Sequence, residues 1–228
     1  MKVTTRPIEK VSDYIGYISH EIIEKEWIFR GHENDGFSLK PSIARIEPRE
    51  GTIQSMESDM LAEFQRRYLN TPSDGWGLLA LAQHHGLPTR LLDWTRNPLV
   101  AMFFAVDKPS KSKISAVWAY RYNLVATKNL DPFTIKKIHV FHPSHVTVRI
   151  TAQQGCFTVH PPPFYDMRTV QRTDEELVKF TIERQYRTQI KNDLDRLGFN
   201  YASLFPDLDG LCKYLKWSFS ISEKENYI

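Results

Sequence analysis

The chain has 228 residues, a length that suits one large domain or two small ones. Hydrophobic residues make up 41% of it and charged residues 25%, ordinary proportions for a globular protein that exclude disorder over the chain as a whole. The formal charge of +3 supplies no domain-wide attraction to nucleic acid, although a local basic patch is compatible with it.

Cysteine usage and hydropathy indicate a reducing compartment. Cys156 and Cys212 are too far apart in sequence for a paired-cysteine metal motif, and two cysteines do not suggest a secreted disulfide framework. The first residues lack the long apolar run of a secretory signal, and no apolar stretch approaches the roughly 20 residues that span a bilayer. The sequence therefore predicts a cytoplasmic protein with no membrane partner.

Apolar periodicity and turn residues predict mostly helices in the first half of the chain. The helical spacing of apolar side chains begins at Val11, and Gly86 is typical of the residue that ends a helix. The predicted elements, in chain order, are a helix over 11–26, a strand over 27–32, an extended loop over 37–45, helices over 52–68 and 75–85, a strand over 88–94 and a buried helix over 98–106.

The second half of the chain is predicted to be richer in strands. The predicted elements are strands over 116–122, 138–141, 146–151 and 156–160, a mixed segment over 123–137, a turn at 154–155, a β-type segment over 177–181, a helix over 188–197, a terminal helix within 204–217 and a frayed end over 222–228. Early helices followed by strands predict an α+β fold. We expect a single domain over 1–228, with N-terminal helices on a mostly antiparallel β-sheet that is either continuous or split.

A dense group of polar residues lies between positions 83 and 98. This segment contains two His, two Arg, two Thr, one Asp and one Trp, and buried polar groups of this kind need hydrogen-bonding partners. Thr95 is a candidate N-cap for the apolar helix that follows. A polar turn that enters a helix N-terminus is a natural place to bind an anion or a nucleotide.

Four sequence motifs resemble a known family when they are taken together. They are Trp27-Ile28-Phe29-Arg30-Gly31-His32, the segment from His84 to Ala105, Arg149-Ile150-Thr151-Ala152-Gln153-Gln154-Gly155-Cys156-Phe157 and Leu204-Phe205-Pro206-Asp207-Leu208-Asp209-Gly210-Leu211. In this order they resemble the FRG domain, a bacterial and phage family named for Phe-Arg-Gly. The motif-bearing region is 27–217.

A more distant resemblance links three segments to the ADP-ribosyltransferases. Phe29-Arg30-Gly31, Asp93-Trp94-Thr95 ahead of an Ala- and Phe-containing helix, and Gln153 are similar in order and spacing to that superfamily's NAD-binding core. The resemblance implies an ADP-ribosyltransferase-like core, NAD as a substrate, and a protein or nucleic-acid acceptor. It also implies a toxin or phage-defence effector, together with an inhibitor or antitoxin partner.

The same resemblance implies roles for individual residues. Catalytic roles are expected at Arg30, Thr95 and Gln153, and contacts to NAD at those three and at Gly31, His84, His85 and Trp94. The third motif has no Glu-x-Glu or Gln-x-Glu, so Asp93, Glu33 or Glu63 would have to supply the catalytic carboxylate. The alternative function is a non-catalytic module that binds a nucleotide or nucleic acid.

Chemistry alone leaves two interpretations for Arg30 and for the histidines. The Arg30 guanidinium suits a phosphate, with Gly31 letting the ligand approach the backbone, or it makes a structural ion pair. His84 and His85 could supply a general base, a ribose contact or a metal ligand, or serve as ordinary structural side chains. No acidic or cysteine partner stands at metal-ligand spacing, so we expect no metal.

The other candidates are also open between structure and function. Arg90, Asp93 and Arg96 are expected to form a salt-bridge network that braces the turn, so that Thr95 and the backbone N–H groups beyond it face a ligand. Trp94 either stacks on the nicotinamide or fills the core, with the core favoured. Gln153 either orients a ribose or satisfies loop backbone at the end of a strand.

Overall fold

The computed structural model describes residues 3–22, 26–69, 72, 74–108, 110–127, 129–143, 148–170 and 175–220. The predicted frayed end over 222–228 lies outside these residues. In the described parts the strands are β1 (Thr4–Ile8), β2 (Trp27–His32), β3 (Leu91–Thr95), β4 (Ile114–Arg121), β5 (His139–Phe141), β6 (Gly155–Val159) and β7 (Glu176–Glu183). The helices are α1 (Val11–Glu21), α2 (Ile53–Arg67), α3 (Gly75–His84), α4 (Pro98–Val106), α5 (Val148–Ala152), α6 (Arg184–Arg196), α7 (Tyr201–Leu204) and α8 (Leu208–Phe219).

The seven strands form one sheet in the order β1-β7-β4-β2-β3-β6-β5. Only the β1–β7 pair is parallel, and the other five pairs of neighbouring strands are antiparallel. The α+β prediction is therefore confirmed, and the sheet is continuous. Its thinnest junction lies between β2 and β3, which share the single residue pair Phe29–Thr95, whereas β2 and β4 share six pairs.

Helices cover the sheet on both sides of this thin junction. One apolar cluster joins α1, α4 and α6 to strands β1, β7, β4 and β2 through side chains such as Tyr14, Phe103 and Phe180. Another joins α2 and α3 to β3, β6 and β5 through Trp76 and Phe157. The two helical layers therefore rest on different halves of the sheet. No helix in the described part of the chain is long and apolar enough to cross a membrane.

Most predicted elements are found, but the strand predicted over 146–151 and the cap predicted for α4 are wrong. The segment predicted as a strand over 146–151 is helical from Val148 to Ala152, with positions 146 and 147 outside the described residues. Its Val, Ile and Thr residues favour strands, but local hydrogen bonds close a short helix before β6. The cap of α4 is Asn97, not Thr95, because the Asn97 side chain accepts hydrogen bonds from the backbone N–H groups of Leu99 and Val100.

A buried ion pair fixes the entrance to β3. Arg90 donates two side-chain hydrogen bonds to Oε2 of Glu57, at 2.9 and 2.6 Å, and its backbone N–H donates to Oε1 at 2.8 Å. Both residues are buried. The predicted Arg90–Asp93–Arg96 network is therefore wrong, because Arg90 turns away from the segment toward α2 and Arg96 is exposed.

Gly31 holds β2 against the backbone of α4. A Cβ atom at this position would lie 2.0 Å from the carbonyl oxygen of Ala101 and 2.6 Å from the backbone nitrogen of Ala105. Both obstacles are main-chain atoms of a helix, so no side-chain rotation can relieve the clash. Gly31 was expected to let a ligand approach the backbone. The space that its missing side chain leaves is filled by α4 instead.

We predict that Gly31→Ala lowers the free energy of unfolding by about 3 kcal/mol or more, because β2 and α4 must separate. Urea denaturation measures this change. Gly16→Ala is the matched control, since no atom lies within 4 Å of its added Cβ and α1 should gain about 0.5–1 kcal/mol in stability. Equal effects of the two substitutions would contradict the role of Gly31.

Candidate functional site: a cationic cleft at the thin junction of the sheet

A cleft of about 460 Å³ opens where β2 and β3 part. Its walls come from both strands, from the end of α4 and from the segment around α5. The residues that line it are Phe29, Arg30, Gly31, His32, Glu33, Phe37, Arg45, Asp93, Trp94, Thr95, Phe104, Asp107, Lys108, Arg149 and Gln153. The three residues predicted to be catalytic, Arg30, Thr95 and Gln153, therefore share one cleft.

Arg30 bridges the gap between the two strands. Its Nε donates to Nε2 of His32 over 2.9 Å, and its Nη1 donates to the backbone carbonyl of Asp93 over 2.5 Å. The Asp93 carboxylate lies 3.8 Å from Nη1, a loose ion pair. These contacts set the plane of the guanidinium, while Nη2 makes no hydrogen bond within the described residues. Burial is the main reason why the pKa of Arg30 is lowered, and the positive charge of Arg45 adds to the effect.

His32 lies below Arg30 as a neutral imidazole. Its side chain is buried, with the residue 4% exposed, and it meets the ring of Phe37 edge-on. Burial, followed by the charges of Arg30, Arg45 and Arg168, lowers the pKa of His32 to about 3. Because Nε2 accepts the Arg30 hydrogen bond, the proton of the neutral ring must reside on Nδ1. Nδ1 is buried and has no hydrogen-bond partner among the described residues.

Asp93 is held in place by Gln83 as well as by Arg30. The Gln83 amide donates to Oδ2 of Asp93 over 3.1 Å and accepts from the Thr89 hydroxyl over 2.8 Å. The side chain of Asp93 remains 58% exposed. Of the three carboxylates considered as substitutes, Asp93 and Glu33 line the cleft. Glu63 lies on α2 and pairs with Arg66 and Arg67.

Thr95 and Gln153 are joined to each other and to the surrounding backbone. The Thr95 hydroxyl donates to the carbonyl of Gln153 over 2.6 Å and accepts from the N–H of Asn97 over 3.0 Å. The Gln153 amide donates to the carbonyl of Leu204 over 3.0 Å. The sequence suggested that Gln153 ends a strand. In the structure it stands in the turn between α5 and β6. The hydroxyl proton of Thr95 is therefore already committed to the backbone.

The predicted anion site at the N-terminus of α4 is occupied by the protein itself. Asn97 takes the first free backbone N–H groups of this helix, those of Leu99 and Val100. These groups are therefore not available to a ligand. The cationic wall must supply the binding of an anion instead.

A smaller space of about 170 Å³ adjoins the main cleft. The two share Asp93, Trp94, Arg149 and Gln153 as common walls, and His84 lines the smaller space only. Burial and the charges of His85 and Arg149 lower the pKa of His84, which favours its neutral form. His85 is exposed and lines neither space.

Trp94 belongs to the core, which was the favoured of its two interpretations. It is buried among Leu92, Trp118 and Tyr120, and its indole N–H donates to the Thr158 hydroxyl over 2.9 Å. The exposed aromatic ring at the cleft is instead that of Phe37.

Several residues of the cleft were not predicted from the sequence. His32 could have been found, because it stands two residues after Arg30 and so shares its face of the strand. Arg45, Lys108 and Arg149 come from three separate segments, and only the fold brings them together. No group of three or more His, Cys, Asp or Glu side chains in the described ranges is arranged to hold a metal.

Comparison with family models gives a match that covers part of this site. The FRG domain matches residues 25–114, which run from just before β2 to the start of β4. This match supports the FRG assignment made from the first two motifs, whereas the motifs at 149–157 and 204–211 lie outside the matched residues. The matched region contains Arg30, His32, Asp93 and Thr95, while Gln153 lies beyond it. Neither the curated proteins nor the solved structures gave a significant match.

We predict that His32 makes the protein less stable in acid. Its pKa of about 3 in the folded state lies below the ordinary value of 6.5, so the unfolded chain binds the proton more readily. The contribution of neutral His32 to the free energy of unfolding is fully present above pH 6.5. It is lost as the pH falls toward 3. At pH 4.5 the loss is about 3 kcal/mol.

Urea denaturation at pH 7.5 and pH 4.5 measures this effect. In His32→Gln the amide can still accept from Arg30 but does not titrate, so the difference between the two pH values should shrink. His85→Gln, at an exposed position, is the control for the loss of one imidazole. An unchanged pH dependence in His32→Gln would contradict the assignment.

Proposed function

We propose that the cleft binds an anionic nucleotide, with NAD as the first candidate. The observation that carries the proposal is the Arg30 guanidinium, which is oriented by His32 and by the Asp93 carbonyl and keeps Nη2 uncommitted among the described residues. A planar guanidinium fixed in this way is suited to a phosphate oxygen.

The other charges of the cleft support an anionic ligand. Arg45, Lys108 and Arg149 line the same space. Of the carboxylates in the wall, Asp107 is already engaged by Lys191 and by the hydroxyl of Tyr201. This leaves two carboxylates, those of Asp93 and Glu33, at the surface that a ligand would meet. The four cationic side chains, which include Arg30, outnumber them.

The shape of the cleft supports a ligand with a ring as well as a phosphate. Phe37 offers an exposed aromatic face at the edge of the main cleft, beside His32. The adjoining space of about 170 Å³ is large enough for a single heterocycle and shares a wall with the main cleft. A nucleotide could place its phosphate on Arg30 and its base in either position.

Calorimetric titration of the full chain with NAD, ADP and inorganic phosphate tests this proposal. We expect Arg30→Ala to weaken nucleotide binding by roughly 10- to 100-fold, because a charge-assisted hydrogen bond is lost. Arg30→Lys should recover only part of the affinity, since a lysine keeps the charge but not the planar fork.

Arg66→Ala is the matched control, because it removes one exposed arginine on α2, outside the cleft. A thermal melt of each variant separates loss of binding from loss of fold. Equal affinities for the wild-type protein and a folded Arg30→Ala would overturn the proposal.

Asp93 favours a second candidate function, the cleavage of NAD. In that reaction the bond between the ribose C1′ and the nicotinamide nitrogen breaks, and nicotinamide leaves with the electron pair. The cation-like sugar then takes a nucleophile from water or from a protein or nucleic-acid acceptor, and a proton is released. The exposed Asp93 carboxylate, held by Gln83, is the group that could stabilise the positive sugar.

Release of nicotinamide from NAD decides between the two candidates. If the protein is an enzyme, Asp93→Asn should abolish turnover and leave NAD binding largely intact, because the amide keeps the shape but not the charge. Binding without any nicotinamide release from the wild-type protein would identify a binding module and exclude catalysis on NAD.

A further inference from the structure

The exposed face of α8 carries a continuous apolar stripe. Leu208, Leu211, Leu215 and Phe219 follow one another at spacings of three, four and four residues, and all are between 42% and 87% exposed. Such spacing places them on one side of a helix. The opposite side faces the protein body, where Gly210 and Trp217 are buried.

A stripe of this kind is characteristic of helices that pair with another helix. Spacings of three and four residues let side chains of one helix insert between those of its neighbour. Single exposed apolar residues are ordinary, whereas a contiguous row marks an interaction surface. We propose that α8 is a dimerisation surface, on which α8 of a second copy of this chain packs in the antiparallel direction.

The distribution of charge along α8 argues for a second copy in this orientation. Asp209 stands in the first turn and Lys216 in the last, and both project on the same flank of the stripe at 100° per residue. In an antiparallel pair the twofold axis is perpendicular to the helices. The flank with Asp209 and Lys216 then lies on the same side of the interface in both copies, while the two helices run in opposite directions. Asp209 of each copy then approaches Lys216 of the other, so two opposite-charge contacts form.

A parallel pair would not have this complementarity. Its twofold axis runs along the helices and puts the flank that carries Asp209 and Lys216 on opposite sides of the interface in the two copies, so the opposite-charge contacts do not form. The antiparallel arrangement also opposes the two helix dipoles, which favours it further. The surface is therefore complementary to itself in one orientation only.

Sedimentation velocity of the full chain over a range of concentrations tests the proposal. We expect a concentration-dependent dimer for the wild-type protein and a monomer for the double variant Leu211→Glu/Leu215→Glu, with a dissociation constant raised roughly 100-fold or more. Ile15→Glu is the matched control, because Ile15 on α1 is 43% exposed, the same as Leu215, and lies outside the stripe.

Charge exchange tests the orientation. Asp209→Lys and Lys216→Asp should each weaken the dimer, and the double exchange should restore it. Failure of the double exchange to restore dimerisation would overturn the antiparallel arrangement. A wild-type protein that stays monomeric, or a Leu211→Glu/Leu215→Glu variant that still dimerises, would overturn the proposal.

Cys212 supplies an independent probe beside the stripe. It is exposed, whereas Cys156 is buried and burial raises its pKa to about 12. A short bismaleimide should therefore join two copies through Cys212, and Cys212→Ser should abolish the product. If the wild-type chain is monomeric and no cross-linked product forms, a second copy is excluded as the occupant of the stripe.

Discussion

The close approach of β2 to α4 at Gly31 is the constraint on which the site depends. The chain leaves β3 at Thr95, enters α4 at Pro98, and α4 then lies against the backbone of β2 with no room for a side chain between them. Packing against α4 fixes the course of β2, which stays paired with β4 over six residue pairs and departs from β3. This accounts for the single residue pair between β2 and β3, and for the cleft that opens beyond it.

The polar groups of the cleft close this gap without sheet hydrogen bonds. Arg30 reaches from β2 to the carbonyl of Asp93 on β3, and Thr95 ties β3 to the turn at Gln153. Backbone groups that a regular sheet would satisfy are satisfied here by side chains. The same side chains line the cleft. They therefore stabilise the irregular sheet and are also in a position to contact a ligand. His32 stays neutral beneath Arg30, which leaves the arginine as the charged group.

The sequence predicted the parts of this arrangement that depend on local pattern. The Arg-Gly strand, the apolar helix α4 and the α+β class all follow from periodicity and turn residues within short windows. Partners distant in sequence could not be predicted in this way. Arg90 has a polar neighbour three positions on, yet it pairs with Glu57 on α2. The helix over Val148–Ala152 likewise replaces a predicted strand, because β-type residues set a weak preference that local context overrides.

Nuclear magnetic resonance titration of the isotope-labelled full chain with ADP tests the central claim most directly, because it locates a ligand without assuming a reaction. We predict that the largest shifts fall on the Arg30 Nε–H and on the backbone amides of Gly31, Asp93 and Gln153. Shifts confined to surfaces away from the junction of β2 and β3, or saturation that leaves the Arg30 signal unmoved, would contradict the claim that this cleft is the nucleotide site.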